Sequence, residues 1–195
     1  MEERRLGRDP ATAEVEDGLL VERARDGDTE AFGALVTRYT AVASRIAQLV
    51  APGADVDDTL QEAFVKAWRA LAGFRAGAPF RPWLCRIVAN EAKNRARSAR
   101  RREALVLRSS TASMRDEPPS PEAVTLERDD AAALVRAMNA LRPDDRLIVA
   151  YRWLLELSEA EMADALDVPV GTVKSRLSRA MTRLRTQLLT EGGDG

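Results

Sequence analysis

Between Phe32 and Leu49 the residues Leu35, Val36, Tyr39, Val42, Ile46 and Leu49 recur every three or four positions, and the chain shows no strand-like alternation of apolar and polar residues. Such a stripe runs along one side of an α-helix, whereas a half-buried strand repeats every second residue. The spacing predicts a helix that "APGAD" stops, because Pro and Gly cannot sustain it. Leu60, Phe64, Trp68 and Leu71 predict a second helix from Asp57 to about Leu71, capped by Asp57. After the turn "AGFRAGAP" a third should begin near Phe80, with Phe80, Trp83 and Leu84 as core residues, and run into a basic stretch. Helical spacing resumes with Leu134, Val135, Met138 and Leu141, and again after Pro143 with Leu147, Ile148, Tyr151 and Leu155. The expected fold is all-α.

Between these two sets lies "EALVLRSSTASMRDEPPSPEAVT", where the prolines at 118, 119 and 121 forbid a continuous helix. The 195 residues therefore divide into two small helical domains joined by a flexible acidic linker. The expected parts are a flexible tail over 1–17, a first domain over 18–103, the linker over 104–130, a second domain over 131–190 and a short tail over 191–195.

The chain has no histidine and one cysteine, Cys85. Disulfides, zinc clusters, a Ser/His/Asp triad and a Cys/His pair are thereby excluded, and no metal or cofactor site is expected. Cys85, between apolar neighbours, reads as a buried structural thiol. No apolar run approaches the roughly 20 residues of a membrane span, and the acidic start lacks a secretory core. A cytoplasmic, non-enzymatic protein with no small-molecule substrate and no membrane insertion is expected.

The formal charge of −1 conceals a segregation. From Arg86 to Arg108, Arg86, Lys93, Arg95, Arg97, Arg100, Arg101, Arg102 and Arg108 stand against only Glu91 and Glu103. Acids dominate from Asp116 to Asp130, and a second basic stretch follows in "VPVGTVKSRLSRAMTRLR". The sequence before and within that stretch has the grammar of a helix-turn-helix. Ser158 and Glu161 form an S-x-x-E capping box, so a short helix begins at Glu159 with Met162, Ala165 and Leu166 inward. Asp167, Val168 and Pro169 make the turn, and Pro169 suits the first turn of the next helix. Val173, Leu177, Ala180, Leu184 and Leu188 form its buried stripe. Thr172, Lys174, Ser175, Arg176, Ser178, Arg179 and Arg183 are left exposed with no balancing acid. That face is either a solvated basic surface or one that meets a DNA major groove, and the concentration of cations favours DNA.

In "DVDDTLQEAF", Asp58, Gln61 and Glu62 share a helical face, suited equally to solvent or to docking. Asn90, Lys93, Asn94, Arg97 and Arg101 line one side of the basic helix, offering amides to a base edge and cations to phosphates. At this point the chain, from about residue 18 to 190, resembles a bacterial sigma factor of the extracytoplasmic-function (ECF) type. "VPVGTVKSRLSRA" resembles that family's promoter-reading helix, and "DVDDTLQEAFVKAWRALAGFRAGAPFRPWLCRIVANEAKNRARSARR" its core-binding and melting module.

The resemblance implies that Asp58, Gln61 and Glu62 dock on core RNA polymerase. It implies that the turn Ala72 to Pro79 and Asn90 border a pocket for one base extruded from the −10 element of promoter DNA, and that the 172–183 face reads the −35 element. It implies a linker threading the polymerase's nucleic-acid path, and an anti-sigma factor as inhibitor. The rival reading is a stand-alone helix-turn-helix regulator binding an operator, which leaves "DVDDTLQEAF" and the basic block at 93 to 102 without work.

Overall fold

Acidic and hydroxyl side chains placed just before apolar stripes mark where the helices start. A computed structural model of the chain describes residues 10–109 and 126–191. Among them are the helices α1 (Pro10–Arg25), α2 (Thr29–Val50), α3 (Val56–Ala70), α4 (Phe80–Ser109), α5 (Leu126–Ala140), α6 (Pro143–Trp153), α7 (Glu159–Leu166) and α8 (Val170–Glu191), with a 3-10 turn at Leu71–Gly73. Asp28 caps α2, its carboxylate accepting from the amides of Glu30 and Ala31, both at 3.0 Å. These amides and Arg23 hold the Asp28 carboxyl below its ordinary range. At α3 the cap is Asp55, which accepts from the Asp58 amide at 3.0 Å. The expected cap, Asp57, instead lies in the first turn of α3.

The tail expected over 1–17 is helical from Pro10 onward. Ala and Glu favour that helix, which seats Val21 and Ala24 in the core and adds a buried polar anchor: Asp17, only 3% exposed, accepts from the Tyr39 hydroxyl and pairs with Arg38 of α2. Burial and this hydrogen bond push the Tyr39 hydroxyl well above its ordinary value. The expected linker is shorter at both ends. α4 continues to Ser109 through "EALVLRS", rich in helix formers, and Leu126 to Asp130 belong to α5. The remainder of the tail and linker expectations, including the three prolines and the acids at 116, 117 and 122, lies outside the described residues.

α2, α3 and α4 pack around Leu35, Ile46, Leu60 and Val88, with Ala43, Ala47, Ala63, Ala67, Ala89 and Ala92 between them. These alanines let the helix backbones approach closely. Beside them Phe74, Phe80, Trp83 and Tyr39 form an aromatic cluster with ring centroids 4.9 to 6.0 Å apart. α5 to α8 enclose a second set of buried residues, including Leu147, Ile148, Tyr151, Met162 and Val173.

The two units pack on each other, α2 against α6 and α4 against α7. The Tyr151 hydroxyl donates to the Cys85 carbonyl at 3.2 Å, and Arg81 donates to the Leu155 carbonyl. Arg146, 6% exposed, donates to the carbonyls of Leu49 (2.7 Å), Asn139 (2.8 Å) and Leu141 (3.0 Å). The cation thus closes carbonyls near the ends of α2 and α5, where no intrahelical donor remains. No helix among the described residues is long and apolar enough to cross a membrane.

Candidate nucleic-acid interface

α3 presents Asp58 and Gln61 exposed and Glu62 half-buried on one face, with Val65, 36% exposed, one turn further on. The face is tied to α4. Arg95 donates to the Asp58 carboxylate, and to its carbonyl at 3.1 Å. Glu91 of α4 is buried beneath and accepts from Lys66, which itself lies 3.6 Å from Glu62. The Arg95 Nε is 3.3 Å from the same Glu91, near enough for an ion pair though not aligned as a hydrogen bond. Hydrogen bonds to Glu91 and to Asp58 raise the pKa values of Lys66 and Arg95 respectively, so both cations are held firmly charged. The network sets the rotation of α3 against α4, and with it the direction in which the polar face looks.

On α4, Asn90, Lys93, Asn94, Arg97 and Arg101 come together along one side, all exposed except the half-buried Lys93. The Asn94 side chain accepts from Arg97 at 3.4 Å. Arg86, half-buried and already counted in the basic block, stands one turn before Asn90 in the same line, as its spacing of four indicates. Phe80 and Leu84 are buried as expected, while Trp83 is half-buried and faces a cleft. That cleft holds about 550 Å³, with the turn residues Gly73 to Pro79 contributing one wall beside Trp83 and Arg86. Its other wall is the 163–169 segment of the C-terminal unit, and Asn90 is not part of either.

The helix-turn-helix comprises α7 and α8. Ser158 Oγ accepts from the Glu161 amide at 3.2 Å, and the Ser158 amide donates to the Glu161 carboxylate at 2.8 Å, completing the capping box. Asp167 ends α7 in the left-handed region (φ 55°, ψ 50°), which an Asp tolerates. Pro169 lies just before α8 rather than in its first turn, its carbonyl accepting from the Thr172 amide at 2.8 Å. Val173, Ala180 and Leu184 are buried, Leu177 and Leu188 half-buried.

Thr172 is half-buried, whereas Lys174, Ser175, Arg176, Ser178, Arg179 and Arg183 are exposed. They do not form one uniform surface. At about 100° per residue, Ser175, Ser178 and Arg179 point most directly away from the buried stripe, with Lys174 on one flank and Thr172, Arg176 and Arg183 toward the other. Nor is the face without acids: Glu159 of α7 lies 3.4 Å from Lys174, and Asp145 of α6 pairs with Arg183. Those acids arrive from other helices, so no local pattern announces them. Arg176 and Arg179 remain exposed, the latter donating to the Ser175 carbonyl at 3.1 Å.

Residues 34–102 match the Sigma-70 region 2 family, and residues 131–184 match Sigma-70 region 4. The sequence is 38% identical to the ECF RNA polymerase sigma-E factor of Escherichia coli K12, covering 86% of this chain and 91% of that one. The chain belongs to the ECF sigma-factor family. A sigma-E factor of Haemophilus influenzae is 33% identical over 90% of this sigma factor and 96% of its own length. Among solved structures, CnrH in complex with the cytosolic domain of CnrY is similar at a TM-score of 0.65, with 29% identity over 92% of this chain and 99% of that one. The sigma factor RpoE of Bartonella quintana, in complex with the anti-sigma factor NepR, is similar at 0.60, with 25% identity over 80% and 96%. In this sigma factor region 2 takes in α3 and α4 as far as residue 102, and region 4 takes in α7 and α8 as far as residue 184. Among its described residues no cluster of carboxylates and thiol could hold a metal ion.

Proposed function

We propose that this sigma factor works in the cytoplasm as a dissociable, non-catalytic subunit of RNA polymerase, docking through Asp58, Gln61 and Glu62 of α3. Asn90, Lys93, Asn94, Arg97 and Arg101 of α4 then engage the −10 element, and Thr172, Lys174, Ser175, Arg176, Ser178, Arg179 and Arg183 of α8 the −35 element. The observation that carries this reading is the pairing, in one chain, of a capped helix-turn-helix with exposed Arg176 and Arg179 and a separate helix lined with amides and cations. Two such elements suit a duplex read at one place and opened at another. Amides and cations along α4 support capture of a strand whose bases have left the stack, a step costing a few kcal/mol that phosphate contacts offset. CnrH forms a complex with the cytosolic domain of CnrY and Bartonella RpoE one with the anti-sigma factor NepR, and these complexes support an anti-sigma protein as the inhibitor here.

Run-off transcription with core enzyme tests the role, and the outcome expected is initiation at discrete start sites only when the chain is added. Binding to an operator with equal affinity in the absence of core would favour the stand-alone regulator. The docking assignment is tested by Gln61→Ala/Glu62→Ala, which spares the Asp58–Arg95 contact, beside the triple variant that also carries Asp58→Ala. Both should bind core more weakly, the double variant at unchanged melting temperature. Unchanged core affinity in the triple variant would sink the assignment.

A further inference from the structure

On an exposed helix a glutamate followed four residues later by a lysine is the favoured order for an ion pair that closes on itself. Glu62 and Lys66 of α3 have that order and spacing, with 43% and 46% of their side-chain surface exposed. Their pair is nonetheless loose. Lys66 Nζ stands 3.6 Å from Glu62, beyond a normal hydrogen bond, and 2.5 Å from Glu91 of α4, whose side chain is only 7% exposed. We propose that Glu91 is a positioning residue for core docking: it draws the Lys66 ammonium inward and leaves the Glu62 carboxylate open to polymerase. The inference rests on docking through Glu62 and names what readies that acid.

A carboxylate removed from water attracts a cation more strongly than one at the surface, where solvent screens it. The hydrogen bond to Glu91 accordingly acts ahead of Glu62 in raising the Lys66 pKa. Glu91 is also unable to follow the ammonium outward, because its other oxygen lies 3.3 Å from Arg95 Nε, and Arg95 in turn grips Asp58. Glu62, Lys66, Glu91, Arg95 and Asp58 thus form a connected series of three acids and two cations, a formal −1. Without the buried charge the series is neutral, and the ammonium has Glu62 as its remaining carboxylate in this series. Packing gives no reason for a charge at this place. α3 and α4 otherwise bury small or apolar residues, Ala63 and Ala67 on one and Val88 and Ala92 on the other. Replacing a buried ion pair by apolar groups is often neutral or stabilising, so the fold alone does not call for Glu91.

Core affinity of the full-length chain, read by titration calorimetry, separates this role from packing. Glu91→Gln keeps the shape and removes the charge, and should bind core several-fold more weakly. Glu62→Gln should also weaken binding several-fold in the parent. Added to Glu91→Gln, however, it should weaken binding further by less than about twofold, because Lys66 has already neutralised that acid; independent losses would multiply. Lys66→Met added to Glu91→Gln should recover most of the lost affinity, which relief of a packing defect would not do. Glu91→Asp keeps the buried charge but withdraws it from Lys66 by a methylene, and should show a smaller loss of the same kind. If circular dichroism finds Glu91→Gln unfolded, Glu91→Asp carries the same comparisons.

Multiplying losses, no recovery on adding Lys66→Met, or parent-like core affinity in the Glu91 variants would each overturn the inference while Glu62→Gln still binds core weakly. Parent-like binding by Glu62→Gln itself would be a different result. It would remove Glu62 from the docking face, and the inference with it.

Discussion

Replacing Arg146 by methionine should destabilise the chain by about 3 kcal/mol. Methionine fills much of the stem's volume but donates nothing, leaving three carbonyls that now accept at 2.7, 2.8 and 3.0 Å. Asn139 is exposed, so water can replace the lost donor there. Leu49 and Leu141 are half-buried and buried, and an orphaned buried acceptor costs about 1–3 kcal/mol. Against a loss of about 2–6 kcal/mol stands relief from burying a guanidinium that has no carboxylate partner among these contacts, a burden that lowers the Arg146 pKa. The balance is about 3 kcal/mol, which for a chain of this size lowers the melting temperature by about 6–12 °C. Urea titration and thermal unfolding followed by circular dichroism measure both quantities. Arg146→Lys should fall between parent and methionine variant, because an ammonium keeps the charge but not the planar fork. If the methionine variant came within about 0.5 kcal/mol of the parent, or above it, the carbonyl-closing role would be refuted.

Burial pushes the Cys85 thiol up to about 12 from an ordinary 9.0. Between those values the unfolded chain has released a proton that the folded chain keeps, so stability should fall as pH rises through that window. Cys85→Ala should flatten the thiol's share of the fall, and equal alkaline slopes in the two proteins would contradict it. Asn90→Ala should reduce permanganate reactivity of promoter thymines more than it reduces core binding; an unchanged footprint would make Asn90 an ordinary surface residue. On promoters with single changes in the −35 element, Arg176→Ala should lose about 1–3 kcal/mol of discrimination. Arg179→Ala should weaken all sequences alike, with a salt slope smaller by about one. Parent-like binding by both across a salt series would leave α8 a solvated surface.

Where a structural decision is local, the sequence states it plainly. Ser158 and Glu161 announce the start of α7 three residues apart, and Pro143 stands at the first position of α6 because its missing N–H costs nothing there. Legibility fades where two residues offer the same chemistry within one turn. "ADVDD" contains three acids able to cap α3, and only the backbone turn at Asp55 selects among them. The stripe of α2 was misdrawn for another reason. Large side chains draw the eye to Val36 and Val42, both half-buried, whereas Ala31, Ala43 and Ala47 form the tight seam. α1 carries too short an apolar stripe to read, since a buried carboxylate, Asp17, continues the side that holds Val21 and Ala24. Closure of the two units was beyond sequence reading, because Tyr151 meets Cys85 and Arg146 meets Leu49 across long stretches of chain.

The distribution of the tryptophans makes the protein its own optical reporter. Trp68 lies edge-on to Phe32 with ring centroids 5.0 Å apart inside the N-terminal unit, whereas Trp153 is 55% exposed and already emits from a watery environment. Trp83, half-buried against Phe74 at 4.9 Å, lines the cleft between the 73–79 turn and the 163–169 segment, and Trp153 lines another that includes Leu49 of α2. Intrinsic fluorescence therefore combines an interior signal from Trp68 with two from rings that line clefts between the units, whose wavelengths depend on whether the other wall is in place. Trp68→Phe/Trp153→Phe isolates the Trp83 signal, so any parting of the two units can be timed in a stopped-flow instrument without attaching a dye.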